Sequence, residues 1–237
     1  MGKTRLFFVL VLFAMGTVMA WAQTKPMRKT IQVDSIAKRN VTGIDVSRHA
    51  GIIDWKQVAQ SGIQFAFIKA TEGSNLVDPS FAVNVQESRK NGLLVGVYHY
   101  FSTLSSARTQ FENFSRTVKQ YGFDLIPAVD VESYRGYTPQ QLCDSLRVFV
   151  QLVEEEFGCS PIIYTYETFY KRMPQGGFGD CLMWVGKYVG EPTVISDWVL
   201  WQFSESGECP GIRGLVDLNV LCEGCRLDDL FLRKRET

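Results

Sequence analysis

Short apolar segments recur along the chain and predict a series of β-strands. The most informative segment is 125–133, a β-branched run that ends in Asp130 and Glu132. Near-continuous hydrophobic runs are typical of buried parallel strands, where unpaired charges are rare. Because side chains alternate along a strand, Asp130 and Glu132 are expected to project from the same face. The other strands predicted in this part of the chain are 41–46, 65–70, 94–101 and 161–166.

Between these strands, apolar residues follow helical spacing and are preceded by helix-start signals. Thr138 and Gln141 form a capping-box pattern, in which the first residue caps the helix and the second bonds back to it. Asp78 and Pro79 are predicted to be the N-cap and first residue of an earlier helix. Further helices are predicted to begin at Asp54 and at Ser105 or Ser106, and glycines are expected to end the four helices at 62, 92, 122 and 158.

After residue 166 the pattern changes to three strands, 182–188, 199–203 and 214–220, with a short terminal helix at 227–235. The chain is therefore predicted to be an α/β protein of five βα units followed by three further strands. Such βα repeats imply a parallel sheet, because parallel neighbours need crossover connections. Eight strands favour closure into a modified TIM-like barrel, and an open doubly wound sheet is the alternative.

Composition excludes several classes of function. The 237 residues include 25 Lys or Arg and 25 Asp or Glu. Because basic residues do not outnumber acidic ones, the composition does not favour nucleic acid as a partner. The hydrophobic fraction of 46% is typical of a folded globular chain. We expect one globular domain over 41–237, in the form of a monomer.

The N-terminus has the pattern of a secretory signal peptide. Lys3 and Arg5 precede an apolar run at 6–19, and Ala20-Trp21-Ala22 is a small-x-small cleavage site. Residues 1–22 are therefore predicted to be removed, and the polar, basic segment 23–40 to be a linker. The protein is expected to be secreted or periplasmic, without stable membrane insertion after cleavage. An uncleaved membrane anchor is the alternative.

All six cysteines lie in the second half of the chain, at 143, 159, 181, 209, 222 and 225. In an oxidising compartment an even number of cysteines predicts disulfides, and six residues allow fifteen complete pairings. Zinc at Cys222 and Cys225 is the rival interpretation, although no second pair of ligands accompanies them. We expect no cofactor and no metal, with a magnesium site built from acidic residues as the alternative.

In a barrel, functional side chains collect at the C-terminal ends of the strands. The predicted strands carry acids and aromatic residues there, a combination that favours a carbohydrate over a phosphorylated substrate. Crowded acids raise one another's pKa values, and aromatic faces stack on sugar rings. His99 is interpreted as a wall residue with satisfied hydrogen bonds. The candidate site residues are Asp45, Lys69, Glu72, Tyr98, Asp130, Glu132, Tyr164, Trp184, Trp201, Gln202 and Asp217.

Several ordered motifs resemble those of glycoside hydrolase family 25, the muramidase lysozymes that cut the β-1,4 bond after N-acetylmuramic acid in peptidoglycan. They are Gly43-Ile44-Asp45-Val46-Ser47, Phe67-Ile68-Lys69-Ala70-Thr71-Glu72-Gly73, Gly96-Val97-Tyr98-His99-Tyr100-Phe101, Asp130-Val131-Glu132, Pro161-Ile162-Ile163-Tyr164-Thr165, Trp201-Gln202-Phe203-Ser204 and Gly214-Leu215-Val216-Asp217-Leu218-Asn219. The resemblance covers about residues 41–233.

This resemblance implies a secreted hydrolase of peptidoglycan glycan strands with Glu132 as general acid. It implies that Asp130 orients or stabilises the reacting N-acetyl group or acts as nucleophile. Asp45 and Asp217 would be the other two active-site acids. Retention, inversion and participation of the substrate's acetamido group are all compatible with the predicted spacing. The alternatives are a catalytically silent peptidoglycan- or chitin-binding module and a glycosidase that acts on another N-acetylated glycan.

Overall fold

The computed structural model describes residues 42–233. The predicted signal peptide at 1–22 and linker at 23–40 lie outside the described residues and remain predictions. The strands are β1 Thr42–Val46, β2 Phe65–Glu72, β3 Leu76–Val77, β4 Leu94–Tyr100, β5 Ala128–Asp130, β6 Ile162–Tyr166, β7 Met183–Gly186, β8 Trp198–Gly207 and β9 Val216–Leu221. The α-helices are α1 Trp55–Gln60, α2 Phe81–Lys90, α3 Ala107–Val118, α4 Pro139–Phe157 and α5 Glu167–Tyr170. Two 3₁₀ turns, Arg48–Ala50 and Leu227–Leu230, complete the described part of the chain.

Eight of the strands close into a barrel, which confirms the predicted fold class. The strand order is β1-β9-β8-β7-β6-β5-β4-β2, and pairing of β1 with β2 closes the sheet. The short strand β3 adds to the edge of β2 in antiparallel orientation. Because the sheet closes on itself, the open doubly wound alternative is excluded for these residues.

Within the eight-stranded barrel, the expectation of an all-parallel sheet is wrong at one strand. Strand β9 runs antiparallel to both of its neighbours, β8 and β1. No helix separates β8 from β9, and a short connection can join only antiparallel neighbours. The reversed direction brings the start of β9, where Asp217 lies, to the same rim as the C-terminal ends of the other strands.

The helix-start predictions are confirmed at three positions and wrong at a fourth. Asp54 caps α1, because its carboxylate accepts the Gln57 N–H. Thr138 and Gln141 form the capping box of α4, and Ser106 caps α3. Asp78 does not cap α2, because its carboxylate accepts the backbone N–H groups of Arg48 and Ser80 instead. Helix α2 consequently begins two residues beyond Pro79, at Phe81, rather than at Pro79 itself.

The central strand β5 is shorter than predicted. It ends at Asp130, so Glu132 lies just beyond the strand. The segment before β5 bonds to the C-terminal segment: the Ile126 N–H donates to the Leu230 carbonyl, and Leu125 bridges to Phe231. The predicted terminal helix is therefore only the 3₁₀ turn Leu227–Leu230 within the described residues.

Aromatic rings fill the barrel interior because small residues face them. Phe65 and Phe67 are fully buried inside the barrel, with Ala128, Ile162 and Leu200 also in this interior cluster. A Cβ atom on Gly43 would lie 2.2 Å from the Phe65 ring, and one on Gly96 would lie 2.3 Å from the Phe67 ring. The two glycines thus create the space that the rings occupy. The outward-facing residues of the strands pack against the helices in a second, larger core.

Candidate active site

A cavity of about 380 Å³ opens at the C-terminal end of the barrel. It contains all four predicted catalytic acids and all of the other candidate residues except Glu72 and Trp201. The lining residues are Asp45, Lys69, Tyr98, Tyr100, Asp130, Glu132, Tyr164, Tyr166, Trp184, Tyr188, Gln202, Glu205 and Asp217.

Asp45 and Asp217 face each other across the antiparallel β1–β9 pair and are hydrogen-bonded to one another. Asp45 also accepts hydrogen bonds from the side-chain amides of Gln202, at 2.9 Å, and Asn219, at 2.7 Å. Burial raises the pKa of both carboxyl groups, that of Asp217 to about 8 with contributions from the charge of Asp45 and the hydrogen bond to it. The pair therefore retains one proton near neutral pH.

Asp130 and Glu132 form the second acidic pair. Burial raises the pKa of Asp130 well above its ordinary value, and the charge of Glu132 raises it further. Burial also raises the pKa of Glu132, while Lys69 and the hydroxyls of Tyr100 and Tyr166, which hydrogen-bond to Glu132, oppose that shift. Like charges in one low-dielectric site cannot all ionise together, so at least one of these acids is protonated near neutral pH.

Lys69 is the cation of the cleft. Its ammonium lies 2.7 Å from Glu72 Oε2 and 4.7 Å from the centre of the Tyr100 ring. Glu72 was a substrate-binding candidate, but it does not line the cavity and its carboxylate is engaged by Lys69. Alternation alone would put Glu72 on the face opposite Lys69, and a bulge in β2 between Lys69 and Thr71 changes that alternation and lets the two side chains meet.

Trp184 forms part of the cavity wall but is 2% exposed. Its ring packs against Phe67 and Tyr164, with centroids 4.8 and 4.9 Å apart, and its Nε1 donates to Asn219 Oδ1. Gly186, two residues further along β7, leaves room for Tyr164, whose hydroxyl would lie 2.7 Å from an added Cβ. Trp184 thus supports the residues of the cleft more than it offers a free face to a sugar.

The placement of Trp201 in the site is wrong. Its indole is buried in the outer core, and its Nε1 donates to the Lys187 carbonyl at 2.7 Å. Gln202, the next residue, points into the cavity. Adjacent strand residues point to opposite faces, so the two could not both have reached the cleft.

The candidate residues chosen from the sequence do not include four residues of the cavity: Tyr100, Tyr166, Tyr188 and Glu205. Tyr100 and Tyr166 follow Tyr98 and Tyr164 by two positions, so the period of a strand could have identified them. Glu205 could not be found in this way, because bulges in β8 between Gln202 and Gly207 shift the alternation.

His99 lies outside the cavity and forms a fully bonded network in the barrel wall. Nδ1 is 2.8 Å from Thr71 Oγ1, and Nε2 is 3.1 Å from Gln110 Oε1. The ring stacks on Phe149 with centroids 5.0 Å apart. Burial lowers the pKa of His99 to about 4, so the ring is neutral near pH 7, as expected of a structural residue.

The cysteines form one disulfide, Cys222–Cys225, which excludes zinc binding by these two thiolates in this state. Cys143, Cys159, Cys181 and Cys209 are free thiols, so the broader expectation of paired cysteines is confirmed only for the C-terminal pair. Among residues 42–233, no three His, Cys, Asp or Glu side chains are arranged to hold a metal ion. In the same range, no helix has the length and apolar character required to cross a bilayer.

A closed α/β barrel whose strand ends surround a sugar-sized cleft with two pairs of carboxyl groups and several tyrosines is the architecture of a glycoside hydrolase. The model of the glycosyl hydrolases family 25 matches residues 44–212, and the chain belongs to this family. The family resemblance inferred from the sequence motifs is therefore confirmed.

Three similar proteins illustrate the relationship. The uncharacterized protein YegX of Escherichia coli (strain K12) is 41% identical over 199 residues, which are 81% of this chain and 73% of that protein. The autolytic lysozyme of Clostridium acetobutylicum is 31% identical over 183 residues, 77% of this chain and 56% of that protein. A family 25 glycosyl hydrolase from Bacillus anthracis has a solved structure that matches with a TM-score of 0.73 at 30% identity, covering 81% of this chain and 92% of that one.

Proposed function

We propose that this glycoside hydrolase is a secreted 1,4-β-N-acetylmuramidase that hydrolyses the glycan backbone of peptidoglycan, with Glu132 as its general acid. The observation that carries the proposal is the environment of Glu132, a largely buried carboxyl group at a sugar-sized cleft that contains four other acids. The substrate class is supported by the relatives that are an autolytic lysozyme and Lysozyme M1 of Streptomyces globisporus.

Glu132 has the properties that a general acid needs. It must carry a proton at working pH and release it to the glycosidic oxygen as the bond breaks. Burial and the charge of Asp45 hold its pKa above the ordinary value, and hydrogen bonds from Tyr100 and Tyr166 limit the rise. The two hydroxyls also fix the direction in which the carboxyl group points, so that proton transfer does not require the side chain to reorient.

Asp130 is suited to the reacting N-acetyl group. Its Oδ1 is buried and has no hydrogen-bond partner among residues 42–233. An unpaired buried acceptor costs stability, which is expected where a substrate group completes the bonding. An acetamido N–H would do so, and Asp130 would then orient the acetamido group toward the anomeric carbon. Direct nucleophilic attack by Asp130 is the other role that this position allows.

The remaining cleft residues would bind the sugar rings. Tyr98 and Tyr164 line the wall beside the acids, and Lys69 supplies positive charge at the rim. A site of this kind offers hydroxyl donors and acceptors to sugar hydroxyls, along with apolar ring surface. We further propose that the enzyme acts as a monomer, since every residue invoked comes from one chain.

The experiment that tests this proposal compares two Glu→Gln variants on purified peptidoglycan sacculi. Glu132→Gln removes the transferable proton without changing side-chain size, so release of new reducing ends should fall by about 10³-fold or more. Glu112→Gln, on the exposed face of α3, is the matched control and should behave as the native enzyme does. Near-native turnover by Glu132→Gln would contradict the assignment. Binding to sacculi without new reducing ends in the native protein would favour a binding module.

Export is tested separately from catalysis. The signal-peptide prediction requires that the mature protein begin at Gln23, after the small-x-small site that ends at Ala22. Intact-mass measurement of protein recovered from the periplasm or the medium would show this N-terminus. Recovery of the full-length chain in the membrane fraction would contradict it and indicate an uncleaved anchor.

A further inference from the structure

Asp45 lies at one side of the cleft, where three side chains form hydrogen bonds with its carboxyl group. Its Oδ2 accepts one N–H from Gln202 of β8 and one from Asn219 of β9. The carboxyl group of Asp217 supplies a further hydrogen bond. Asp45 is 8% exposed, so these contacts replace most of its contact with water.

On the side away from Asp45, the oxygen of each amide accepts hydrogen bonds from aromatic side chains. The Gln202 oxygen accepts the hydroxyl protons of Tyr164 at 2.7 Å and Tyr188 at 2.8 Å. The Asn219 oxygen accepts the indole N–H of Trp184 at 2.7 Å. Because the Trp184 indole N–H can only donate, a flipped Asn219 amide would lose this bond as well as its bond to Asp45. Tyrosine hydroxyls can also accept, so a flip of Gln202 would lose chiefly its bond to Asp45, whose carboxylate would then face the amide oxygen. Asn219 is therefore held with its NH₂ group toward Asp45, and the NH₂ group of Gln202 also donates to Asp45.

Two carboxyl groups in hydrogen-bond contact share one proton, and their surroundings decide which of them holds it. N–H donors favour the ionised form of the group that they contact. Asp45 receives two such donors. We propose that Gln202 and Asn219 are positioning residues that keep Asp45 ionised and thereby place the shared proton on Asp217. The catalytic consequence of this inference rests on the proposed function, whereas the location of the proton does not.

The charges around Asp217 agree with this assignment. Asp45 approaches it from β1, Glu205 from β8, and Glu132 from the segment after β5, and all three are acidic. The hydroxyls of Tyr98 and Tyr188 are also close enough for the Asp217 charge to affect them. Burial and the negative neighbours raise the pKa of Asp217 to about 8, with burial the largest cause.

The placement of the proton matters for Glu132. The negative charge of Asp45 is one of the causes that raise the Glu132 pKa, so an ionised Asp45 helps Glu132 to remain a proton donor. Ionisation of Asp217 as well would break the hydrogen bond within the pair and place a second negative charge beside Asp45. The active form is thus expected to contain Asp45 as an anion and Asp217 as a neutral acid.

Carbon-13 NMR of the aspartate carboxyl groups tests the location of the proton directly and needs no substrate. Asp45→Asn and Asp217→Asn variants assign the two resonances in the full-length labelled protein. At about pH 6, where an ordinary aspartate is ionised, we expect Asp45 at the carboxylate position and Asp217 at the position of a protonated acid. Asp217 should then titrate with a pKa of about 8. Ionised Asp217 at this pH, or a protonated Asp45, would overturn the inference even if the enzyme is a muramidase.

A double-mutant cycle tests whether Gln202 acts through the proton shared by Asp45 and Asp217. Gln202→Met keeps the length of the side chain and removes its N–H donor, so kcat/KM should fall by about tenfold or more in the native background. In the Asp217→Asn background no proton remains to be placed, and the same substitution should cost less than about threefold. Equal losses in both backgrounds would identify Gln202 as merely structural. Thermal unfolding of all four proteins verifies that each is folded.

Discussion

Two clusters of buried polar side chains lie on opposite sides of the same barrel wall, and they differ in one respect. Around His99, each polar atom of the ring has a partner and the ring is neutral. In the cleft, the side chains of Asp130 and Glu132 crowd together, and one oxygen of Asp130 has no partner among the described residues. Fully paired buried groups stabilise a fold, whereas crowded or unpaired groups cost stability and are typical of functional sites.

The partners of His99 also define its tautomer. Gln110 Oε1 can only accept, so Nε2 of the ring must carry the proton and donate. Nδ1 then accepts from the Thr71 hydroxyl. The Gln110 amide is itself fixed by the carbonyls of Ser102 and Ser105, to which its Nε2 donates. This cluster therefore joins β4 to α3 and leaves nothing for a ligand to complete.

Asp130→Asn is expected to have the largest effect, with catalysis and stability changing in opposite directions. Loss of the carboxylate should reduce kcat by about 10³-fold, or about 4 kcal/mol of transition-state stabilisation. The same change removes a buried acid whose charge is opposed by Glu132, so the free energy of unfolding near neutral pH should rise. Both are measured on one preparation, by reducing-end release and by urea unfolding. Asp197→Asn, at an exposed position, should change neither.

His99→Ala should instead lower stability and leave catalysis unchanged. It removes a buried ring and leaves Thr71 and Gln110 each without a partner, which should lower the free energy of unfolding by about 3 kcal/mol. The kcat of the folded protein should stay close to the native value, because His99 does not line the cavity. A large loss of kcat in a protein of native stability would show that the two clusters are not separate in function.

The two clusters should also respond to pH in opposite directions. The Asp217 pKa is raised from 3.8 to about 8 on folding, so between these values the unfolded chain has lost a proton that the folded chain retains. Its contribution to stability therefore falls as pH rises through this window. The His99 pKa falls from 6.5 to about 4, so stability is lost as pH drops through that range.

Urea unfolding across this pH range separates the two effects. Asp217→Asn should stabilise the protein more at about pH 8 than at about pH 4, since only the native chain carries the penalty at the higher pH. An equal effect at both pH values would mean that Asp217 does not hold a raised pKa.

A smaller effect is expected where the interior is merely tightly packed. Gly96→Ala would place a Cβ atom 2.3 Å from the ring of Phe67, which is fully buried in the barrel interior. The free energy of unfolding should fall by about 1–3 kcal/mol. At the control position, Gly122→Ala would meet only the guanidinium end of Arg89, which can swing away. Equal costs at both positions would contradict the account of how the interior rings are accommodated.

Much of the site could be predicted because it follows from one rule, that functional residues lie at C-terminal strand ends. The rule predicts Asp45, Asp130, Glu132 and Asp217 at the cleft, and all four line it. Asp217 obeyed it for an unexpected reason, because β9 is reversed and presents its start at that rim. The direction of a strand depends on its neighbours in space, which local sequence does not specify.

The errors in the predicted site each have a physical cause at a particular residue. Trp201 lies outside the cleft because strand alternation lets only one of Trp201 and Gln202 face it, and that residue is Gln202. Glu205 was missed because bulges in β8 between Gln202 and Gly207 interrupt that alternation. The hydrogen bonds from Gln202 and Asn219 to Asp45 require that β1, β8 and β9 lie side by side. Only closure of the barrel brings these three strands together.

The identity of the bond that is cut tests the central claim most directly. Sacculi are digested with the native enzyme, the new ends are reduced with borohydride, and the released muropeptides are analysed by mass spectrometry. The account predicts that the reduced sugar is N-acetylmuramic acid in every product that depends on Glu132. Reduced N-acetylglucosamine at those ends, or soluble products without any new reducing end, would contradict it.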